Sequence, residues 1–97
     1  MGENVSAEVV RIYRMPGATN AQYDEVVAAA GDVIAAGAKI HLAGSNDADL
    51  WVIEVWASAE QLAAWLATQA AGNAAQEAIL PDPEVFEFDV HRLMSAD

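Results

Sequence analysis

The sequence predicts an α+β domain ordered strand, helix, strand, strand, helix, strand: a four-stranded antiparallel sheet with both helices on one face. Three observations carry that expectation. Helical periodicity occurs twice, each time between segments rich in β-branched and aromatic residues. Residues 38–44 and 50–57 are separated only by the polar turn "SNDAD", which reads as a hairpin. The second of these segments, "LWVIEVWA", is apolar on both faces, as a strand inside a sheet must be when both sides are covered. Residues 1–6 are expected to be a flexible lead-in, 7–94 a single domain and 95–97 a tail.

Each element has its own justification. "AEVVRIYRM" (7–15) has strand composition and meets a strand-stopping pair at Pro16-Gly17. Thr19 or Asn20 then offers a side-chain oxygen to an unpaired backbone N–H, capping a helix. In "NAQYDEVVAAA", Tyr23, Val26, Val27 and Ala30 share one stripe at i, i+3, i+4, i+7 spacing. Gly31 can end that helix, yet Val33 and Ile34 extend the stripe toward Gly37, and both ends fit the pattern. "AKIHLAG" (38–44) is the second strand and "LWVIEVWA" the third. Ser58 and Gln61 have capping-box spacing, and Leu62, Trp65, Leu66 and Gln69 follow on one helix face. Gly72-Asn73 interrupts this helix, "AAQEAIL" adds a short turn or two, and Pro81 and Pro83 stop it. In "EVFEFDVHRLM" (84–94), Phe86, Phe88 and Val90 alternate with Glu87, Asp89 and His91, giving a strand with one apolar face.

This order is the ferredoxin-like βαββαβ arrangement, with the first and third strands central. Two helices can cover only one side of such a sheet. Trp51, Ile53 and Val55 point one way on the third strand, and Leu50, Val52, Glu54 and Trp56 the other, so a second apolar side is left over. Patches of several hundred square ångströms are usually interfaces. The expected occupant is a second copy packed sheet to sheet, making an obligate homodimer.

Composition narrows the function. Fifteen acidic residues against four basic ones give a formal charge of −11, which disfavours nucleic acid and anionic membranes as partners. The absence of cysteine excludes disulfides, thiolate metal sites and cysteine nucleophiles. No apolar run approaches the roughly 20 residues of a membrane span. The opening "MGENVSAE" lacks the basic and apolar regions of a secretory leader, so a cytoplasmic location is the expectation. Two histidines fifty residues apart make no metal-binding spacing, and phosphate-binding glycine loops and serine nucleophile elbows are missing. Neither a metal nor a cofactor is expected.

Four segments together span most of residues 9 to 93: "MPGATNAQYDEVV", "HLAG", "VIEVWASAEQLAAWL" and "PEVFEFDVHRL". In them the chain resembles the dimeric α+β barrel superfamily, and within it the small proteins grouped with antibiotic biosynthesis monooxygenases. The resemblance implies protomers paired through their sheets, each with a pocket between its own sheet and helices. It also implies an apolar, aromatic or polyketide-like ligand. Members include cofactor-free oxygenases, polyketide cyclases, lactone isomerases, haem-degrading enzymes and proteins of no known activity. The oxygenases surround an electron-rich phenolic substrate with a tryptophan, a tyrosine, an asparagine and an arginine, and that set has no counterpart at matching positions here.

His41 is the candidate catalytic residue, because imidazole exchanges protons near neutral pH and "HLAG" carries part of the resemblance. Tyr23 and Trp65, on the inner stripes of the helices, and Trp51 are the candidate substrate-binding residues, since flat rings stack on flat ligands. A structural role in a solid core is the alternative for each. Glu54, the lone acid in the third strand, is expected to form a cross-strand ion pair with Arg11 or Arg14, or else to act as a base. His91 is expected on the dimer side or in solvent. Cofactor-free monooxygenation is thus one reading. The others are cyclisation or isomerisation with His41 as acid/base, and a non-catalytic ligand-binding or structural dimer.

Overall fold

The computed structural model describes residues 7–30, 38–68 and 77–94. The lead-in, the tail, the alternative ends of the first helix beyond Ala30 and the Gly72-Asn73 interruption lie outside the described residues. The element order is β1 (Val9–Pro16), α1 (Asn20–Ala30), β2 (Ala38–Ser45), β3 (Asp49–Trp56), α2 (Ala59–Ala67) and β4 (Glu84–Asp89). All four strands join one antiparallel sheet in the order β2-β3-β1-β4, so β1 and β3 are central. This is the ferredoxin-like α+β fold.

Local chemistry sets the turns. Pro16 and Gly17 occupy the middle of a tight turn closed by Ala18 N–H donating to the Met15 carbonyl (3.2 Å). Gly17 has φ 78°, the left-handed value that the third position of a type II turn requires. Thr19 caps α1 through a reciprocal pair: Gln22 N–H donates to Thr19 Oγ1 (3.2 Å), and Thr19 N–H to Gln22 Oε1 (2.9 Å). Ser58 Oγ likewise accepts from Gln61 N–H (3.1 Å) at the start of α2. In the β2–β3 hairpin, Asn46 Oδ1 accepts from the backbone of Ala48 (3.0 Å) and Asp49 (2.8 Å), folding the turn with its own side chain. The last strand is shorter than its alternating pattern suggests. Pairing with β1 ends at Asp89, and a single bond from Val90 N–H to the Glu8 carbonyl (2.9 Å) carries the chain past it.

The two faces differ sharply. On the helix-covered face, Met15, Ala18, Val26, Leu50, Val52 and Leu80 form one buried cluster, flanked by Tyr13, Tyr23 and Ile79. Val9, Trp56 and Leu62 form a second, flanked by Ala38 and Trp65. Helix α1 packs on the first cluster and α2 on the second.

Across the open face, register aligns Leu42, Ile53, Ile12 and Phe86 in one cross-strand row and Ile40, Val55, Val10 and Phe88 in the next. Leu42, Phe86 and Phe88 are each about half exposed, at 48%, 49% and 53%. A third row, Gly44, Trp51, Arg14 and Glu84, is polar at its β4 end. There Arg14 donates to Asp49 (3.0 Å) and Glu84 (2.7 Å), and its guanidinium lies over the Trp51 ring, 5.8 Å from the centroid. At strand spacings of about 4.8 Å and a rise of about 3.3 Å per residue, four strands six residues long present roughly 400 Å². No helix among the described residues is long and apolar enough to cross a membrane.

Candidate active site

The hairpin register places His41 on β2 directly opposite Glu54 on β3, both on the helix-covered face. Their side chains are only 11% and 9% exposed. His41 Nδ1 lies 3.0 Å from Glu54 Oε2, and the other carboxylate oxygen, Oε1, accepts from Trp56 Nε1–H at 3.0 Å. From above, α1 delivers Tyr23: its hydroxyl sits 2.7 Å from His41 Nε2, with the two rings stacked at 6.1 Å between centroids. Tryptophan, glutamate, histidine and tyrosine therefore form one continuous hydrogen-bonded line from the core to the underside of α1. No buried side-chain polar atom among the described residues lacks a partner.

A carboxylate only accepts hydrogen bonds, so with Glu54 ionised and the imidazole neutral, the proton of His41 sits on Nδ1. The Nε2 lone pair then faces Tyr23, whose hydroxyl donates to it. Burial pushes the Tyr23 phenol above the ordinary tyrosine range, and the Glu54 and Asp24 carboxylates push it the same way. Tyr23 is accordingly a held proton donor near neutral pH. Tyr13, on β1, is also raised, first by burial and then by Glu54, with Glu87 adding to it and Arg11 opposing. Arg11 donates to the Tyr13 hydroxyl (2.7 Å) and to Glu87 (2.7 Å).

The sequence-derived candidates fall in three places. His41 and Tyr23 meet. Trp65 instead packs on Trp56 (6.1 Å between centroids) in the second cluster, at the end of the polar line away from Tyr23. The placement of Trp51 with the substrate-binding residues is corrected: its register with Gly44 and Arg14 sets it on the opposite sheet face, apart from His41 and Tyr23. The expected ion pair of Glu54 with Arg11 or Arg14 is corrected as well. Arg14 belongs to the open face. Arg11 is opposite Glu54 in register but turns its guanidinium to Tyr13 and Glu87. His91 follows β4 and is exposed.

The sequence singles out Glu54 as a possible base but not its partner His41, and it gives no sign of Trp56. Counting residue pairs outward from the "SNDAD" turn, with Ser45 opposite Leu50, would have put Glu54 opposite His41. Among the described residues, no group of three or more histidine, aspartate or glutamate side chains could hold a metal ion.

A ferredoxin-like α+β scaffold carrying a largely buried Tyr23–His41–Glu54–Trp56 hydrogen-bonded line is the class that fold and site together define. No protein-family model matches the chain, and neither does any curated protein. Solved structures do. A candidate antibiotic biosynthesis monooxygenase from Chloroflexus aurantiacus J-10-fl superposes with a TM-score of 0.65 at 21% identity, over 91% of this chain and 97% of that one. SnoaB, a cofactor-independent oxygenase from Streptomyces nogalater, superposes with a TM-score of 0.71 at 21% identity, over 94% of this chain and all (100%) of that one. A mutant of SnoaB gives 0.72 at 20% identity with the same coverage. At such identities the likeness is one of fold: the chain has the fold of antibiotic biosynthesis monooxygenase-like proteins.

Proposed function

We propose that this chain is a homodimeric, cofactor-free monooxygenase acting on an apolar, aromatic or polyketide-like molecule held between sheet and helices. The observation that carries the reading is the Glu54–His41–Tyr23 line, a preorganised proton acceptor in a mostly apolar setting. Removing a proton from an enolisable or phenolic ring leaves an electron-rich carbanion or phenolate that can pass electrons to dioxygen directly. A ring methylene plus O₂ then gives a ring ketone plus water, which balances with no added reductant. The fold shared with a cofactor-independent oxygenase supports the same reading. Cyclisation or isomerisation would begin with the same proton removal, with His41 as the final acceptor, and differs in needing no oxygen.

Dimerisation is proposed through the open face, where two adjacent rows of apolar side chains cross all four strands. A second copy would cover them, with the Trp51–Arg14–Glu84 row as a polar margin.

The test is oxygen uptake with anthrone, a tricyclic ketone whose ring methylene is acidic. The expected result is stoichiometric consumption of O₂ and formation of anthraquinone, lost in His41→Ala. Proton removal with a rearranged product and no uptake favours the isomerase reading. A chain that neither binds nor converts such aromatics, while remaining a folded dimer, overturns this reading and favours the non-catalytic one.

A further inference from the structure

Both ring nitrogens of His41 are already engaged, one by Glu54 and one by Tyr23, and its side chain is nearly enclosed. A ligand therefore reaches the imidazole only by way of the Tyr23 hydroxyl. We propose that Tyr23 is the group that exchanges a proton with the ligand, that His41 is its internal acceptor, and that Glu54 is the positioning residue fixing the His41 tautomer. This rests on the reading of the site as one that deprotonates its ligand.

The step balances without oxidant or reductant. The acidic C–H of the ligand gives its proton to Tyr23 Oη as the phenol's own proton passes to His41 Nε2. The products are a ligand carbanion, an intact phenol and an imidazolium facing the Glu54 carboxylate. The imidazolium so formed keeps its Nδ1–H donated to the Glu54 carboxylate 3.0 Å away.

Trp56 matters because it occupies the second carboxylate oxygen and so stops the carboxylate from swinging away. Free imidazole in water carries its proton on either nitrogen. Here only the Nδ1–H form satisfies both neighbours, which leaves the accepting lone pair aimed at Tyr23. Other charged groups are accounted for: Arg11 on β1 is bound to Glu87 on β4, and Asp24 lies beside Tyr23 on α1.

Two measurements on the full chain test this. Long-range proton–nitrogen NMR of the resting protein should show His41 protonated at Nδ1 and bare at Nε2, with that pattern lost in Glu54→Gln. Under nitrogen in D₂O, exchange of the anthrone methylene should slow about 100-fold in Tyr23→Phe, the usual scale for one acid/base group. The same loss is expected in Glu54→Gln.

A resting His41 protonated at Nε2 overturns the proposal, whatever the activity. So does Tyr23→Phe exchanging as fast as wild type while His41→Ala does not, since His41 would then act directly. Wild-type protein that catalyses no exchange overturns it too. Exchange without oxygen uptake, by contrast, removes the monooxygenase reading and leaves the relay standing.

Discussion

Replacing Ile53 by lysine tests the proposed sheet-to-sheet dimer at its most central point. Ile53 lies in the row Leu42, Ile53, Ile12, Phe86 and is partly buried within its own protomer. Full burial of an isoleucine side chain is worth about 1.5–3 kcal/mol, so the part left for a partner to cover is worth about 1–2 kcal/mol. A two-fold interface counts every residue twice, giving about 2–4 kcal/mol before the cost of desolvating two ammonium groups. At 1.4 kcal/mol per tenfold, the dissociation constant should rise about 25- to 700-fold.

Net-charge repulsion cannot explain such a loss, because the substitution moves each protomer from −11 to −10. The helix-covered core is untouched, so the monomer should keep its circular dichroism. Sedimentation velocity over a dilution series is the assay. Wild type should run at twice 10.3 kDa and the variant should dissociate at concentrations where wild type does not. Wild type sedimenting as a folded 10.3 kDa particle, or a variant dimer as tight as wild type, would refute the reasoning.

Four further outcomes are expected. Glu54→Ala strands two buried donors, His41 Nδ1–H and Trp56 Nε1–H, each worth about 1–3 kcal/mol, so urea unfolding should show a loss of about 2–6 kcal/mol. A loss below about 0.5 kcal/mol would mean that water or Arg11 replaces the carboxylate. Both tyrosines bind their protons more tightly when folded than the ordinary value of 10.0, so stability should fall as pH rises beyond 10 through the folded values. Glu54 contributes to both shifts, and Glu54→Gln should bring tyrosinate absorbance in at lower pH; an unchanged titration would contradict the electrostatics. Finally, Thr19→Ala removes one side of the cap on α1 and should cost about 1 kcal/mol in thermal or urea melts, with Ser58→Ala acting similarly on α2.

The fold could be read from local signals because each element carries its own: capping residues at Thr19 and Ser58, the Pro16-Gly17 stop, the apolar run of β3 and the alternation in β4. Side-chain parity also separated Trp51 from Trp56 correctly, but it does not say which face the helices take. That depends on long-range packing, and Trp51 was misplaced for want of it. The site was half legible. His41 and Tyr23 are chemically conspicuous, whereas Glu54 resembles any strand carboxylate until the hairpin register sets it opposite an imidazole. Composition made arginine the obvious partner for Glu54. Arg11 instead finds Glu87 on the neighbouring strand, a pairing that exists only once β4 has docked beside β1.

The polar line also divides the interior. Leu50, Val52 and Met15 lie to one side of Glu54 and Trp56, Val9 and Leu62 to the other, so the two helices do not share a common oily floor. Lifting α1 disturbs its own half and the single Tyr23–His41 contact, while α2 stays seated on Trp56. Amide protons in α1 and α2 should therefore trade with solvent through separate openings, one for each half. The half that α1 covers is also the one that holds the phenol.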